Sequence, residues 1–259
     1  MSILNRLSLE GKNAIVIGAC GGLGRGIASG LAQAGASVIV AGRQKEKCDR
    51  IAAFIVEDTG AKVYGLPVDI TLQESIEEMM VKAEEISGNI HILVNSAGIN
   101  IRKPALQYTR QDWDIVQDVQ LKGSFFTCQA VARHMVENGI PGRIINIASV
   151  NSKIVARPDI VSYVSAKAGI MQMTKALAVE WAQYGILINA IAPGFFETEL
   201  TRVLFEDEDI KKQMLSHIPQ NRFGDPDRDL AGLAVYLGSD AASYITGQTI
   251  YVDGGYTII

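Results

Sequence analysis

Cysteine, proline and histidine are all scarce in this chain of 259 residues, and each scarcity removes a class of protein. The three cysteines, Cys20, Cys48 and Cys128, include no Cys-x-x-Cys pair, so neither a disulfide framework nor a zinc site is indicated. His91, His134 and His217 are scattered and the carboxylates show no ligand-like spacing, which leaves no basis for a metal. His134, flanked by Arg133 and Met135 on an expected helix, reads as structural. No apolar run reaches the roughly 18 residues of a membrane span. The longest charge-free stretch, Gly26 to Gly42, is broken by Ser29, Gln33 and the Gly35 turn. Arg6 has no apolar segment behind it, so no signal peptide is expected, and a reducing cytoplasm is the simplest compartment. A net charge of -4 offers no basic footprint for nucleic acid.

What is present is the composition of a packed protein, with 48% hydrophobic and 20% charged residues. Glycine is abundant, at 25 residues without a Gly-X-Y period, so the glycines mark particular backbone positions. Short β-branched runs are expected as strands at Asn13 to Ile17, Ser37 to Ala41, Lys62 to Pro67, His91 to Asn95, Arg143 to Ile147, Ile186 to Ile191 and Thr249 to Val252. Between them, helices are expected at Leu23 to Ala34, Gln44 to Asp58, Gln73 to Ile86, Gln111 to Asn138, Ser162 to Tyr184 and Pro226 to Leu237. This alternation predicts an α/β fold: a doubly wound, seven-stranded parallel sheet with helices on both faces, spanning residues 1 to 259 as a single domain. From about 194 to 224 the alternation lapses at a Phe-Phe pair and the acidic cluster Glu206, Asp207, Glu208 and Asp209. Because this stretch follows a strand's carboxyl end, it is expected to cover a substrate cleft, a solvated insertion being the alternative.

The first strand runs into Gly18-Ala19-Cys20-Gly21-Gly22-Leu23-Gly24 and then a helix, which is what a dinucleotide diphosphate requires. Backbone approaches closely there, and a helix N-terminus presents free N–H groups. With Asn95-Ser96-Ala97-Gly98, Ser149, Tyr163-x-x-x-Lys167, and Asn189-x-x-x-Pro193-Gly194 followed by Thr198, the Gly18-x-x-x-Gly22-x-Gly24 turn resembles the short-chain dehydrogenase/reductase family. The match covers almost the whole chain, in the family's order and spacing. It implies a Rossmann-type fold and NAD(P)-dependent hydride transfer between nicotinamide and a secondary alcohol or ketone. The cofactor-binding residues implied are Gly18, Gly22, Leu23, Gly24, Arg43, Asp69, Ile70, Asn95, Ala97, Gly98, Tyr163, Lys167, Pro193, Gly194, Phe196 and Thr198. Ile17 departs from the family's frequent Thr without touching the cradle.

At the end of the second strand, where a carboxylate reads the ribose hydroxyls in NAD enzymes, this chain has Gly42 and then Arg43. A guanidinium pairs with a 2′-phosphate, and Gly42 leaves room for one, so NADP is the expected cofactor, with NAD possible. An exposed Arg closing a strand is the alternative. Gly21 takes the place of the second phosphate partner found in many NADP-using relatives.

Tyr163 and Lys167, four apart on an expected helix, share one face. An ammonium about 4 Å from the phenol offers about 4 kcal/mol at an effective dielectric near 20, which is expected to lower the phenol's pKa before desolvation subtracts from the effect. The resemblance makes Tyr163 the general acid or base, Lys167 the residue on the nicotinamide ribose, and Ser149 the donor to the substrate oxygen. Gln120, in Val119-Gln120-Leu121-Lys122-Gly123, stands where the family commonly has Asn holding a relay water; it is carried as a fourth catalytic member, with an impaired relay as the alternative.

The segments Gly98 to Pro104, Asp112-Trp113-Asp114, Ala130 to Met135 and Ala156-Arg157-Pro158 resemble the branch containing gluconate 5-dehydrogenase, also called 5-ketogluconate reductase. An aldonate needs a cation for its carboxylate and polar groups for its hydroxyls, which Arg102, Arg157, Ser149, Asn151 and Ser152 can supply. Lys103 adds a further cation beside Arg102. A sugar acid or polyol such as gluconate or 5-ketogluconate is therefore the expected small-molecule substrate. Reduction of another carbonyl, such as a cyclic ketone, a sugar or a 3-oxoacyl thioester, stays open, as does a catalytically impaired cofactor-binding protein. The helices through Gln120 and Tyr163 are rich in apolar residues, among them Phe125, Phe126, Met171, Met173, Leu177 and Trp181. Relatives pair these helices between subunits, so a homo-oligomer, a tetramer above all, is expected, with core burial as the alternative.

Overall fold

The computed structural model describes residues 2–198, 201 and 208–258. Seven strands form one sheet: β1 (Asn13–Ile17), β2 (Ser37–Gly42), β3 (Val63–Pro67), β4 (Ile92–Asn95), β5 (Arg143–Ile147), β6 (Leu187–Pro193) and β7 (Thr249–Val252). The order is β3-β2-β1-β4-β5-β6-β7, and every pair is parallel. Parallel neighbours need long crossovers, which here include α2 (Gly22–Gln33), α3 (Lys45–Thr59), α4 (Gln73–Ser87) and α7 (Val161–Trp181), following a short α1 (Ile3–Leu7).

The period of two along β1 decides which layer each residue meets. Ala14 and Val16 pack with Ile27 and Leu31 of α2, while Ile15 and Ile17 pack with Met79 and Met80 of α4 and with Val131 and Met135. Both faces are thus apolar, as a sheet buried between two helical layers requires. The chain winds outward from β1 to β3 and returns to pair β4 with β1, so the order reverses between β1 and β4. Ile17 stands opposite Asn95, and Asn95 opposite Asn146, which aligns three carboxyl ends at the crevice where open α/β sheets bind ligands.

Most strand ends fall within one residue of expectation. β6 runs two residues further, to Pro193, because Ala192 and Pro193 pair with Tyr251 and Val252 of β7. The single helix expected over Gln111 to Asn138 is three pieces: α5 (Arg110–Gln117), a π-helical turn Asp118–Gly123, and α6 (Ser124–Glu137). A Cβ on Gly123 would stand 2.8 Å from the Ile70 carbonyl oxygen. The widened turn therefore lies hard against the end of β3's loop. Pro226–Leu230 is likewise a π-helical turn, capped by Asp225, before a helix over Ala231–Gly238. Within the stretch from 194 to 224 a helix spans Glu208–Ser216. It begins at Glu208 and Asp209; Glu206 and Asp207 lie outside the described residues. His134 is structural: its Nε2 accepts from the Ile90 N–H at 3.0 Å and its Nδ1 meets Glu84 at 2.9 Å. No helix among the described residues is long and apolar enough to cross a membrane.

Candidate active site

The glycine turn after β1 is built by close packing. Gly18 has φ of +76°, and a Cβ on it would lie 2.6 Å from the Ala97 nitrogen; a Cβ on Gly24 would lie 2.5 Å from the Gly18 carbonyl oxygen. Gly18 and Gly24 are therefore small for the protein's own sake, locking β1 to the β4 loop and to α2. Gly22, at φ of +53°, faces only the Thr198 side chain, at 3.1 Å. It is the glycine on the open side of the cradle. Gly21 precedes α2 without a side-chain cap, which leaves the first N–H groups of α2 for an anion. These features fit a dinucleotide diphosphate.

Gly42 serves a different purpose from the one its position suggests. A Cβ there would stand 2.7 Å from Cys20 Sγ, so the residue makes room for a sulfur atom. Arg43, next to it, is exposed and has no carboxylate partner among the described residues. Asp69 turns one carboxylate oxygen to Thr71, at 3.0 Å from its N–H and 2.7 Å from its hydroxyl, with buried Ile70 between them.

Polar residues at the carboxyl ends of β4 and β5 hold the floor. Asn95 donates to Asn146 at 3.0 Å, and Asn146 donates to Thr174 at 3.0 Å, all three buried. Asn146 was not among the expected site residues. A lone Asn inside Ile144-Ile145-Asn146-Ile147 is the signal that marks it, since a buried amide persists only when its hydrogen bonds are made. Pro193 and Gly194 leave β6 beside β7, Gly194 donating to the Val252 carbonyl at 2.9 Å. Beyond them Phe196 is buried, bridged to Gly224, and Thr198 is tied to Thr201.

Ser149, Tyr163 and Lys167 converge as expected. Ser149 ends the β5 loop as the N-cap of a short turn, where its hydroxyl accepts from the Asn151 N–H at 3.1 Å. Lys167 is buried, with Nζ donating to the Ile147 carbonyl at 2.7 Å and standing 5.7 Å from the Tyr163 ring centre. Burial lowers its pKa to about 7. The expectation that this ammonium lowers the phenol's pKa is corrected: burial raises Tyr163, and the groups pulling it back are the Ser149 hydrogen bond and the charge of Arg102. Burial outweighs both, and Lys167 gives no counterweight because its own charge is disfavoured by the same burial.

Gln120 is buried in the π-helical turn. Its Nε2 donates to the Ile99 carbonyl at 2.7 Å, its Oε1 has no partner, and both amide atoms lie 3.2 Å from where a Cβ on Gly98 would be. It is thus placed against the Gly98–Ile99 loop. Asn151 commits its amide to the loop itself, donating to Ser149 Oγ at 3.3 Å and accepting from the Ala156 N–H at 3.0 Å. Ser152 is likewise occupied, donating to the Lys167 carbonyl at 2.8 Å. Lys103 is removed from the cleft's free cations by its 2.6 Å ion pair with Asp112.

Arg102 and Arg157 are different. Desolvation, then the charge of Arg157, lowers the pKa of Arg102, and the field of Arg102 reaches Tyr163. Arg157 Nη1 is buried without a partner. The two guanidiniums are close enough for their charges to interact; Arg102 acts on Tyr163, Arg157 acts on Tyr256, and Arg157 carries the unmet donor. Among the described residues, seven buried side-chain polar atoms are unpartnered, among them one each on Asn95, Asn100, Gln120 and Arg157. No group of three His, Cys, Asp or Glu side chains among the described residues is placed to hold a metal ion.

Comparison with known proteins agrees with this geometry. Residues 18–257 match the family model described as enoyl-(acyl carrier protein) reductase. The chain is 39% identical over 258 residues to gluconate 5-dehydrogenase of Gluconobacter oxydans, covering 100% of this chain and 99% of that protein. It is 40% identical over 263 residues to 2-dehydro-3-deoxy-D-gluconate 5-dehydrogenase of Escherichia coli, covering 98% of each. The crystal structure of a gluconate 5-dehydrogenase from Burkholderia cenocepacia in complex with NADP and tartrate superposes with a TM-score of 0.94, at 38% identity and with 100% of both chains covered.

Proposed function

The chain belongs to the short-chain dehydrogenase/reductase family, and from that membership we propose that it is an NADP-dependent oxidoreductase of sugar acids, acting on a secondary alcohol or ketone of the gluconate/5-ketogluconate class. The observation that carries the substrate class is the interacting Arg102–Arg157 pair, of which Arg102 acts on Tyr163 and Arg157 keeps a buried, unmet guanidinium N–H. A neutral ketone offers such a pair hydrogen-bond acceptors but no counter-charge, whereas a carboxylate relieves the repulsion and completes the hydrogen bonds. The relatives named for gluconate and deoxygluconate substrates, and the one solved with NADP and tartrate, support the same reading.

NADP would be held by the N–H groups opening α2, by Arg43 at the 2′-phosphate and by Lys167 at the nicotinamide ribose. When bound it supplies or accepts the hydride. The protein's own part is to move the proton and to place the substrate. Burial keeps the Tyr163 phenol protonated at neutral pH, so it serves as the acid in carbonyl reduction, and the charge of Arg102 assists the reverse. Ser149, its hydroxyl oriented by the Asn151 N–H, donates to the oxygen on which charge develops. The described residues from Gly194 to Thr198 and from Glu208 to Gly224 would cover the cleft, with Phe195 packed edge-on against Tyr256 and Phe196 bridged to Gly224.

The same reading includes a homotetramer formed through α6 and α7, where Val179 is 83% exposed and Phe125, Phe126 and Trp181 are incompletely covered. It also includes a cytoplasmic location, in line with three free thiols. A panel of aldonates and neutral polyols offered with NADP and with NAD, read by absorbance of the reduced nicotinamide, tests the function. Turnover confined to neutral alcohols refutes the sugar-acid assignment.

A further inference from the structure

Neither the proton machinery nor the arginine pair uses the sulfur atoms behind the glycine turn. Cys20, between Gly18 and Gly22, and Cys48, on the first turn of α3, are 28 residues apart in sequence, yet their Sγ atoms lie 2.9 Å apart. Gly42 makes this approach possible: a Cβ there would stand 2.7 Å from Cys20 Sγ and 3.5 Å from Cys48 Sγ. Cys48 is fully buried, and Cys20 is half-buried. We propose that Cys20 and Cys48 form a dithiol modification site, which a hydroperoxide closes to a disulfide, and that the closed form binds NADP more weakly.

The two thiols have separate roles. The hydrogen bond from Cys48 and the charge of Lys47 lower the pKa of Cys20, while Cys48 is pushed up by its interaction with Cys20 and by burial. Cys20 is then the nucleophile and the accessible sulfur. Its thiolate attacks one peroxide oxygen, the O–O bond breaks, and the products are a Cys20 sulfenic acid and hydroxide from hydrogen peroxide. The Cys48 thiol next displaces the sulfenic oxygen, forming the S–S bond and releasing water. The two sulfurs give up two electrons and the peroxide takes them.

Closing the bond brings the sulfurs from 2.9 Å to about 2.05 Å. That movement draws the turn toward α3, and the turn carries the N–H groups that meet the diphosphate. Donors in such a site must be held to roughly 0.5 Å, so the displacement is large enough to matter. Cys128 is an internal control: it is buried against Asn95 and Asn146, and burial pushes its thiol up to about 12.

The crosslink itself stands apart from the proposed activity; its effect on affinity rests on the dinucleotide reading. The purified protein is treated with limiting hydrogen peroxide and read by intact mass, thiol titration and NADPH fluorescence titration before and after oxidation. The expected result is loss of the mass of two hydrogens and of two of the three thiols. The dissociation constant for NADPH should rise about fivefold or more, a typical coupling between two sites, and dithiothreitol should restore it. Cys48→Ser, which cannot close the bond, should show no loss of two hydrogens, only the gain of oxygen at Cys20, and a smaller change in affinity than wild type. Retention of both hydrogens by wild type, unchanged affinity after crosslinking, or an equal loss of affinity in Cys48→Ser each overturns the proposal. If the reduced protein binds no NADPH, the dinucleotide reading fails instead, and the mass measurement still decides the crosslink.

Discussion

Replacing Arg157 with Met keeps much of the side chain's length and bulk while removing its charge and its five N–H donors. A hydrogen bond to a charged group is worth about 1.5–3 kcal/mol, and about 1.4 kcal/mol is tenfold in affinity. A carboxylate substrate should therefore lose about 10- to 150-fold in KM, towards the upper end because Arg157 Nη1 is buried and unpartnered in the free protein. The interaction is made equally in the ground and transition states, so kcat should stay near wild type. Arg102→Met should cost less, since Arg102 is the more exposed of the two. If both guanidiniums hold one carboxylate, the double variant will depart from additivity. Stability supplies an independent check: removing Arg157 relieves its repulsion of Arg102, so the Tm of the free protein should hold or rise. The assay is steady-state kinetics on an aldonate and on the neutral polyol of the same carbon skeleton. An equal loss on both substrates, or no loss on the aldonate, refutes the carboxylate site.

Tyr163→Phe should lower kcat by at least about 100-fold with NADPH affinity nearly unchanged; retained turnover removes the tyrosine from the reaction. Arg43→Ala should shrink the kcat/KM preference for NADP over NAD, and an unmoved preference sinks the 2′-phosphate contact. Gln120→Asn withdraws the amide from the Ile99 carbonyl that it reaches at 2.7 Å. A rate gain would mean that Gln120 crowds the relay, and a loss would mean that this contact holds the Gly98 loop in place; Tm measured in parallel separates the loss from misfolding. Lys167, with a pKa of about 7 when folded against about 10.4 unfolded, makes the unfolded chain bind more protons between those values. Stability from this group therefore rises with pH across that window, by roughly 1 kcal/mol per unit. Urea unfolding from about pH 7.5 to 9.5 should show that slope in wild type relative to Lys167→Met, and parallel curves would refute a buried, neutralised lysine.

Strand runs such as Ala14 to Ile17 and Val38 to Ala41 are legible because a strand covered on both faces must be apolar at every position. Parallel order follows because the intervening stretches are long enough for helices. The break at Asp118–Gly123 was not legible, since one extra residue in a helical turn leaves the amphipathic pattern nearly unchanged while the contact with Ile70 decides it. Tyr163 and Lys167 could be placed together because their spacing is local and helical. Their pKa values could not be assigned, because the direction depends on how much water three elements exclude, and here burial prevails over charge.

Local chemistry was thus determined by the sequence alone: the glycine turn, the Tyr-x-x-x-Lys face, and the seven apolar runs that dictate a buried parallel sheet. Only the tertiary structure decided which long-range partners meet. It withdrew Lys103 from the cleft by pairing it with Asp112, brought Arg157 close enough to Arg102 for their charges to interact, and set Cys20 against Cys48 over Gly42. Contacts between residues tens of positions apart depend on the register and stacking of whole elements, and local periodicity carries no record of them.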